Sequence, residues 1–105
     1  GGLQVLLADN SWADVPHVPG TFIVNLGDLL AAWTNDRWVS TMHRAINPNR
    51  EDATRSRLSI PFFHQPNYDA LIECIPTCLE PGEESRHPPV RSGDWVLDKL
   101  SKSIT

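Results

Sequence analysis

His43, Arg57 and Ser59 are the residues of this 105-residue chain whose types and spacing could do chemistry together. His43 lies in a stretch where Val39, Thr41, His43 and Ala45 fall on one side, a place where an apolar or small residue would fit the alternation. Arg57 and Ser59 share a face of the next extended stretch, across a polar loop at 47–54. An imidazole can bind a metal or move a proton. A planar guanidinium holds a carboxylate through two parallel hydrogen bonds, and a nearby hydroxyl can add a third. If the two stretches are sheet neighbours, one cavity holds all three groups. The plainer reading is also open: a lone strand histidine is often structural, and an Arg-x-Ser pair is often a solvated face.

The elements that must position these groups are short. Nine prolines and six glycines cut the chain into pieces, which favours strands and turns over a helix bundle. Leu3, Val5 and Leu7 alternate with polar Gln4, predicting a strand. Asp9-Asn10-Ser11 is turn chemistry, and Trp12 to Val15 reads as the returning strand of a hairpin. After a turn at Pro19-Gly20, Thr21 to Leu26 is the clearest strand by pattern. Asp28 is placed to cap a short helical stretch from Leu29 to Trp33, while Asn25 is expected to bond backbone. Trp38 to Ile46 and Arg55 to Phe63 are further predicted strands, the latter weakened near Pro61. A turn-rich stretch spans Pro66 to Pro89, and a last helix runs from Ser92 as N-cap to about Lys102.

Composition narrows the function classes. The net charge is −4 and the nine Lys and Arg are scattered, which argues against nucleic acid as the main partner. No apolar run approaches the ~18 residues of a membrane span. The first residues predict no signal peptide. Two cysteines are too few for a disulfide framework, so a reducing, cytoplasmic setting is expected. Cys74 and Cys78, with His64 and His87, match no common zinc spacing and read as ordinary thiols. The four tryptophans are expected to pack in the core or at a barrel rim.

Four segments in one order carry a resemblance: Thr21-Phe22-Ile23-Val24-Asn25-Leu26-Gly27-Asp28, Trp33-Thr34-Asn35, Ser40-Thr41-Met42-His43-Arg44, and Arg57-Leu58-Ser59-Ile60-Pro61-Phe62-Phe63. With Gly1-Gly2-Leu3-Gln4-Val5 at the start, they resemble the isopenicillin N synthase-like group of iron(II)- and 2-oxoglutarate-dependent dioxygenases. The resemblance implies a mainly β fold: part of a double-stranded β-helix, or jelly roll, with a short helical turn and a C-terminal helix. It implies that 1–105 is the C-terminal portion of one such domain, with the β core at about 1–64 and the turn-rich segment and helix at about 65–105. His43 would be a metal ligand for iron(II), and Arg57 and Ser59 would bind the far carboxylate of 2-oxoglutarate. In some members the same pair holds a substrate carboxylate instead. Ala45, two residues beyond His43, would leave room in the cavity, and Phe63, by parity with Arg57 and Ser59, would line it. Arg44 would face away. The activity implied is oxidation of a small organic substrate with O₂, as hydroxylation, desaturation or ring closure.

One departure bears on all of this. The family's other ligands form a His-x-Asp motif just upstream of Gly-Gly-Leu-Gln-Val, and no His-x-Asp or His-x-Glu occurs in this chain. A single imidazole does not retain iron(II). The chain is therefore expected to be inactive alone and to need the N-terminal part of its own domain. The rival readings are a non-catalytic β fragment or degenerate paralogue serving as an interaction module, and a differently metallated jelly-roll binding protein.

Overall fold

The computed structural model describes residues 1–51 and 53–104, which form two compact units. The first contains residues 1–25 and 41–61, the second residues 26–40 and those from 62 onward.

The first unit is built on β1 (Leu3–Leu6), the central strand of a three-stranded antiparallel sheet. On one side β1 pairs with β2 (Trp12–Asp14), with Val5 opposite Ala13. The hairpin turn forms as its sequence predicts. The Asp9 carboxylate accepts the Ser11 N–H at 2.9 Å and the Ser11 hydroxyl at 2.5 Å, and Asn10 takes the left-handed conformation at φ 65°. These bonds to the ionised form hold the Asp9 carboxyl below its usual pKa.

On its other side β1 pairs with β3 (His43–Ala45), with Val5 opposite His43 and Leu3 opposite Ala45. Backbone bonds from the Leu6 N–H to the Met42 carbonyl and from the Ile46 N–H to the Gly2 carbonyl prolong the pairing. The strand expected over Trp38 to Ile46 is thus only its last part. Those expected over Thr21 to Leu26 and Arg55 to Phe63 make no ladder among the described residues. Alternation records which side of an extended segment is apolar, but a strand also needs a hydrogen-bonded neighbour, and that is not a local property. Phe22 is 94% exposed and Leu58 84% exposed, so neither segment buries its apolar row here.

In the second unit α1 (Asp28–Trp33) begins without a side-chain cap; Gly27 stands at the N-cap position. Asp28 is the helix's first residue, where its charge suits the dipole. Its carboxylate, beside the Ser40 hydroxyl and 3.2 Å from the Lys99 ammonium, is held below its usual pKa by those two groups against the opposing effect of burial. At the helix end Asn35 is buried. Its Nδ2 donates to the Glu83 carboxylate at 2.6 Å and its Oδ1 accepts the Arg86 N–H at 2.8 Å, tying the 83–86 loop to α1. Among the described residues the buried apolar side chains are Ala31 on α1 and Ile72 on β4 (Leu71–Ile72), which pairs antiparallel with β5 (Val90–Arg91). A short 3₁₀ turn, Pro76–Cys78, precedes β5.

The last helix, α2 (Ser92–Ile104), follows β5 directly. Ser92 is the first residue of the helix rather than its cap; it is buried, and its N–H donates to the Ala70 carbonyl. Of the tryptophans expected to pack, Trp12 lies under the Arg44 guanidinium at 4.0 Å and Trp95 under the Lys99 ammonium at 4.7 Å. Trp33 is 38% and Trp38 53% exposed, so neither is fully enclosed.

Candidate functional site

The site candidates gather on the first unit, around β1 and β3. Antiparallel partners project to the same face, so His43 and Ala45 share a side of the sheet with Val5 and Leu3. The opposite face is a polar ladder. The Gln4 amide donates to Asp14 at 2.8 Å and accepts from Arg44 Nε at 2.9 Å, and Arg44 stacks on Trp12. Arg44 therefore faces away from His43, as its position in the alternation requires.

His43 presents its ring with one nitrogen engaged. Nδ1 lies 3.2 Å from the Thr41 carbonyl oxygen and 3.3 Å from the Asn25 side-chain amide. A carbonyl oxygen only accepts, so that contact is a hydrogen bond only in the tautomer with the hydrogen on Nδ1 and a lone pair on Nε2, whereas the Asn25 Nδ2 contact is one only in the opposite tautomer. Only the first tautomer leaves Nε2 able to bind a divalent metal. Among the described residues no three His, Cys, Asp or Glu side chains converge to hold a metal ion. What is present fits a single contributed ligand and not a complete iron site.

Arg57 reaches the same sheet by a route the sequence did not suggest. The strand beside β3 is β1, not the 55–63 segment. A β-carbon placed on Gly2 would stand 3.3 Å from Arg57 Nη2 and 3.3 Å from the Ile46 carbonyl oxygen, so the guanidinium lies against the Gly2 backbone at the end of the β1–β3 pair. Gly2 adopts φ 103°, conformational space that favours glycine, and the absence of a side chain there leaves room for the guanidinium. Ile46 is three residues past His43, or about 10 Å along a strand. Among the described residues no carboxylate pairs with Arg57; the ion pairs involve Arg37, Arg86, His87, Lys99 and Lys102.

Ser59 is exposed and follows Arg57 in the same unpaired extended segment. Phe63 belongs to the second unit and is 75% exposed. Two residues were missed as site members. Asn25, expected to bond backbone, instead contacts the His43 ring from eighteen positions away. Gly2 accommodates Arg57. The signal for Gly2 was the Gly1-Gly2 pair ahead of a strand; nothing local marked Asn25.

The second unit holds a shallow cleft of about 370 Å³ lined by Asp28, Ser40, Asp36, His87 and Trp95. Its polar groups are engaged internally, Asp36 with His87 at 2.9 Å and Asp28 with Lys99. Cys74 and Cys78 are free thiols, and burial raises the pKa of Cys74, which keeps it protonated and a poor nucleophile.

Residues 1–66 match the profile of the 2OG-Fe(II) oxygenase superfamily. The chain is 45% identical over 103 residues to a 2-oxoglutarate-Fe(II) type oxidoreductase, hxnY, of Emericella nidulans, covering 97% of this chain and 28% of that protein. Its structure resembles that of a 2OG-Fe(II) oxygenase family protein from Caulobacter crescentus, with a TM-score of 0.87 and 32% identity over 97% of this chain and 34% of the other. It also resembles a full-length Neurospora crassa protein solved in complex with alpha-KG, with a TM-score of 0.79 and 32% identity over 96% of this chain and 34% of the other. The fold is accordingly part of a jelly roll of this kind, mainly β with small sheets and few helices. The chain spans about 28% of the length of the curated relative.

Proposed function

The chain belongs to the 2OG-Fe(II) oxygenase superfamily, and on that premise we propose that it is the C-terminal segment of an iron(II)- and 2-oxoglutarate-dependent oxygenase. When bound, iron(II) would supply oxidation of a small organic substrate by O₂, coupled to oxidative decarboxylation of 2-oxoglutarate. His43 gives the iron one imidazole ligand through Nε2. Arg57, with the Ser59 hydroxyl, binds the far carboxylate of 2-oxoglutarate and so sets the direction in which the keto-acid end points. Ala45, beside His43 on the same face, leaves space for the cosubstrate. The remaining ligands come from the N-terminal part of the domain, so the 105-residue chain alone is inactive. A cytoplasmic location goes with the two unpaired thiols.

The observation that carries this reading is the guanidinium of Arg57, without a carboxylate partner among the described residues, at the end of the strand pair whose other end bears His43. The test is made in the full-length protein under anaerobic conditions for metal binding and with O₂ for turnover. His43→Ala should abolish iron(II) retention. Arg57→Ala should raise the 2-oxoglutarate concentration for half-maximal turnover by at least about tenfold, the loss of one charged hydrogen-bonded pair. Unchanged turnover at limiting 2-oxoglutarate in the arginine variant sinks the clamp.

A further inference from the structure

We propose that Gly2 is the positioning residue for Arg57: the space its missing β-carbon leaves is the slot that seats the guanidinium for a dicarboxylate. This rests on the reading of Arg57 as the clamp for the far carboxylate of 2-oxoglutarate. Gly2 stands opposite Ile46 in the register that pairs Leu3 with Ala45. The Ile46 N–H donates to the Gly2 carbonyl at 2.8 Å, which marks a pair whose members ordinarily exchange two bonds. Among the described residues the return bond, from the Gly2 N–H to the Ile46 carbonyl, is not made. The φ of 103° takes Gly2 out of strand geometry, near about −140°, and leaves that half of the pair open.

Arg57 occupies the opening. The point where a β-carbon would stand is 3.3 Å from its Nη2, 3.8 Å from its Cζ and 3.3 Å from the Ile46 carbonyl oxygen. A methyl group there forces one neighbour to give way. The Ile46 carbonyl belongs to the paired backbone, whereas the guanidinium is the end of a flexible side chain, so the guanidinium moves. Arg57 is exposed, and among the described residues no ion pair holds it, so this slot is what places its head group. A long side chain loses rotamer freedom when it takes up a carboxylate, and a slot that already narrows that freedom lowers the cost of binding. Two parallel bonds to a carboxylate also need the planar fork aimed correctly, which a displaced guanidinium is not.

The test compares two glycines of the same unit. Gly20 also has a positive φ, 77°, but a β-carbon there meets nothing within 4 Å. Gly20→Ala therefore imposes backbone strain alone, and Gly2→Ala imposes strain together with displacement of Arg57. Both are made in the full-length protein, with 2-oxoglutarate binding measured calorimetrically without O₂ and a denaturation curve for each. Both variants should lose stability, and only Gly2→Ala should bind 2-oxoglutarate more weakly, by about tenfold. Equal affinities overturn the proposal. A loosened sheet is told apart from a displaced guanidinium by repeating Gly2→Ala on Arg57→Lys, whose compact ammonium leaves the slot unfilled. There the added alanine should change affinity less than about twofold, and a repeated tenfold loss overturns the proposal. Should Gly2→Ala not fold, nitrogen-15 relaxation in the native protein without 2-oxoglutarate gives a reading that needs no variant. The Arg57 head group should be ordered, and one as mobile as that of exposed Arg50 overturns the proposal. Arg57→Ala separates the two levels. Native affinity without Arg57 removes the clamp, whereas affinity lost there but kept in Gly2→Ala removes only the role of Gly2.

Discussion

Gly2 is where a single atom matters most. Its φ of 103° and the 3.3 Å approach of Arg57 Nη2 to the place of a β-carbon both weigh against any side chain. Gly2→Ala should cost about 1–3 kcal/mol of stability from the backbone alone. It should also displace the guanidinium, so that more 2-oxoglutarate is needed for the same rate. A chemical denaturation curve and a cosubstrate titration check the two effects. A stability loss with an unmoved titration would separate Gly2 from cosubstrate binding. At this scale the sequence was partly legible: His43 broke an alternation, and Arg57 and Ser59 shared a face. The contact between Asn25 and the His43 ring was not legible, because it spans eighteen positions and neither residue's neighbours mark it.

At the scale of elements, turns were easier to read than strands. Asp9-Asn10-Ser11 closes its hairpin because the bonds involved are within two residues. Asn35 does for α1 what Asp28 was expected to do: it ties an element's end by side-chain bonds, at the C-terminal side and to a loop nearly fifty residues away. Asn35→Ala should destabilise by about 2–4 kcal/mol, combining the bonds lost by a buried amide with a left-handed backbone that alanine adopts poorly. Thermal unfolding of the variant against the native protein measures it, and a change under about 0.5 kcal/mol would show that the 83–86 loop is not held by this residue. Asp28 makes a pH prediction. Its carboxyl pKa is lowered in the folded state, so its contribution is complete above the ordinary value of 3.8 and is lost as pH falls through the lowered one. Asp28→Asn should therefore be less stable than the native protein at neutral pH, with the difference closing in strong acid. Half of the Asp28 side chain is exposed, which keeps the effect small.

At the scale of the whole molecule the apolar surface is the salient fact. Phe22, Val24, Leu58, Ile60 and Phe62 are each at least 80% exposed. Rows of this kind associate in water. The 105-residue chain on its own should self-associate at micromolar concentration, and the full-length protein should not; light scattering at matched concentration checks both. A monodisperse isolated chain would count against the need for the rest of the domain.

By itself the sequence determined the family, the hairpin, the terminal helix and the placement of His43 and Arg44 on opposite faces of their strand, because each depends on residue order or on local periodicity. Tertiary structure decided that β1 lies beside β3, that Arg57 reaches the sheet through the space left by Gly2, and that Asn25 meets the imidazole. Alternation tells a segment which side to bury. Which backbone it bonds to is settled only when distant segments compete for the same hydrogen bonds, and that competition leaves no mark on neighbouring residues.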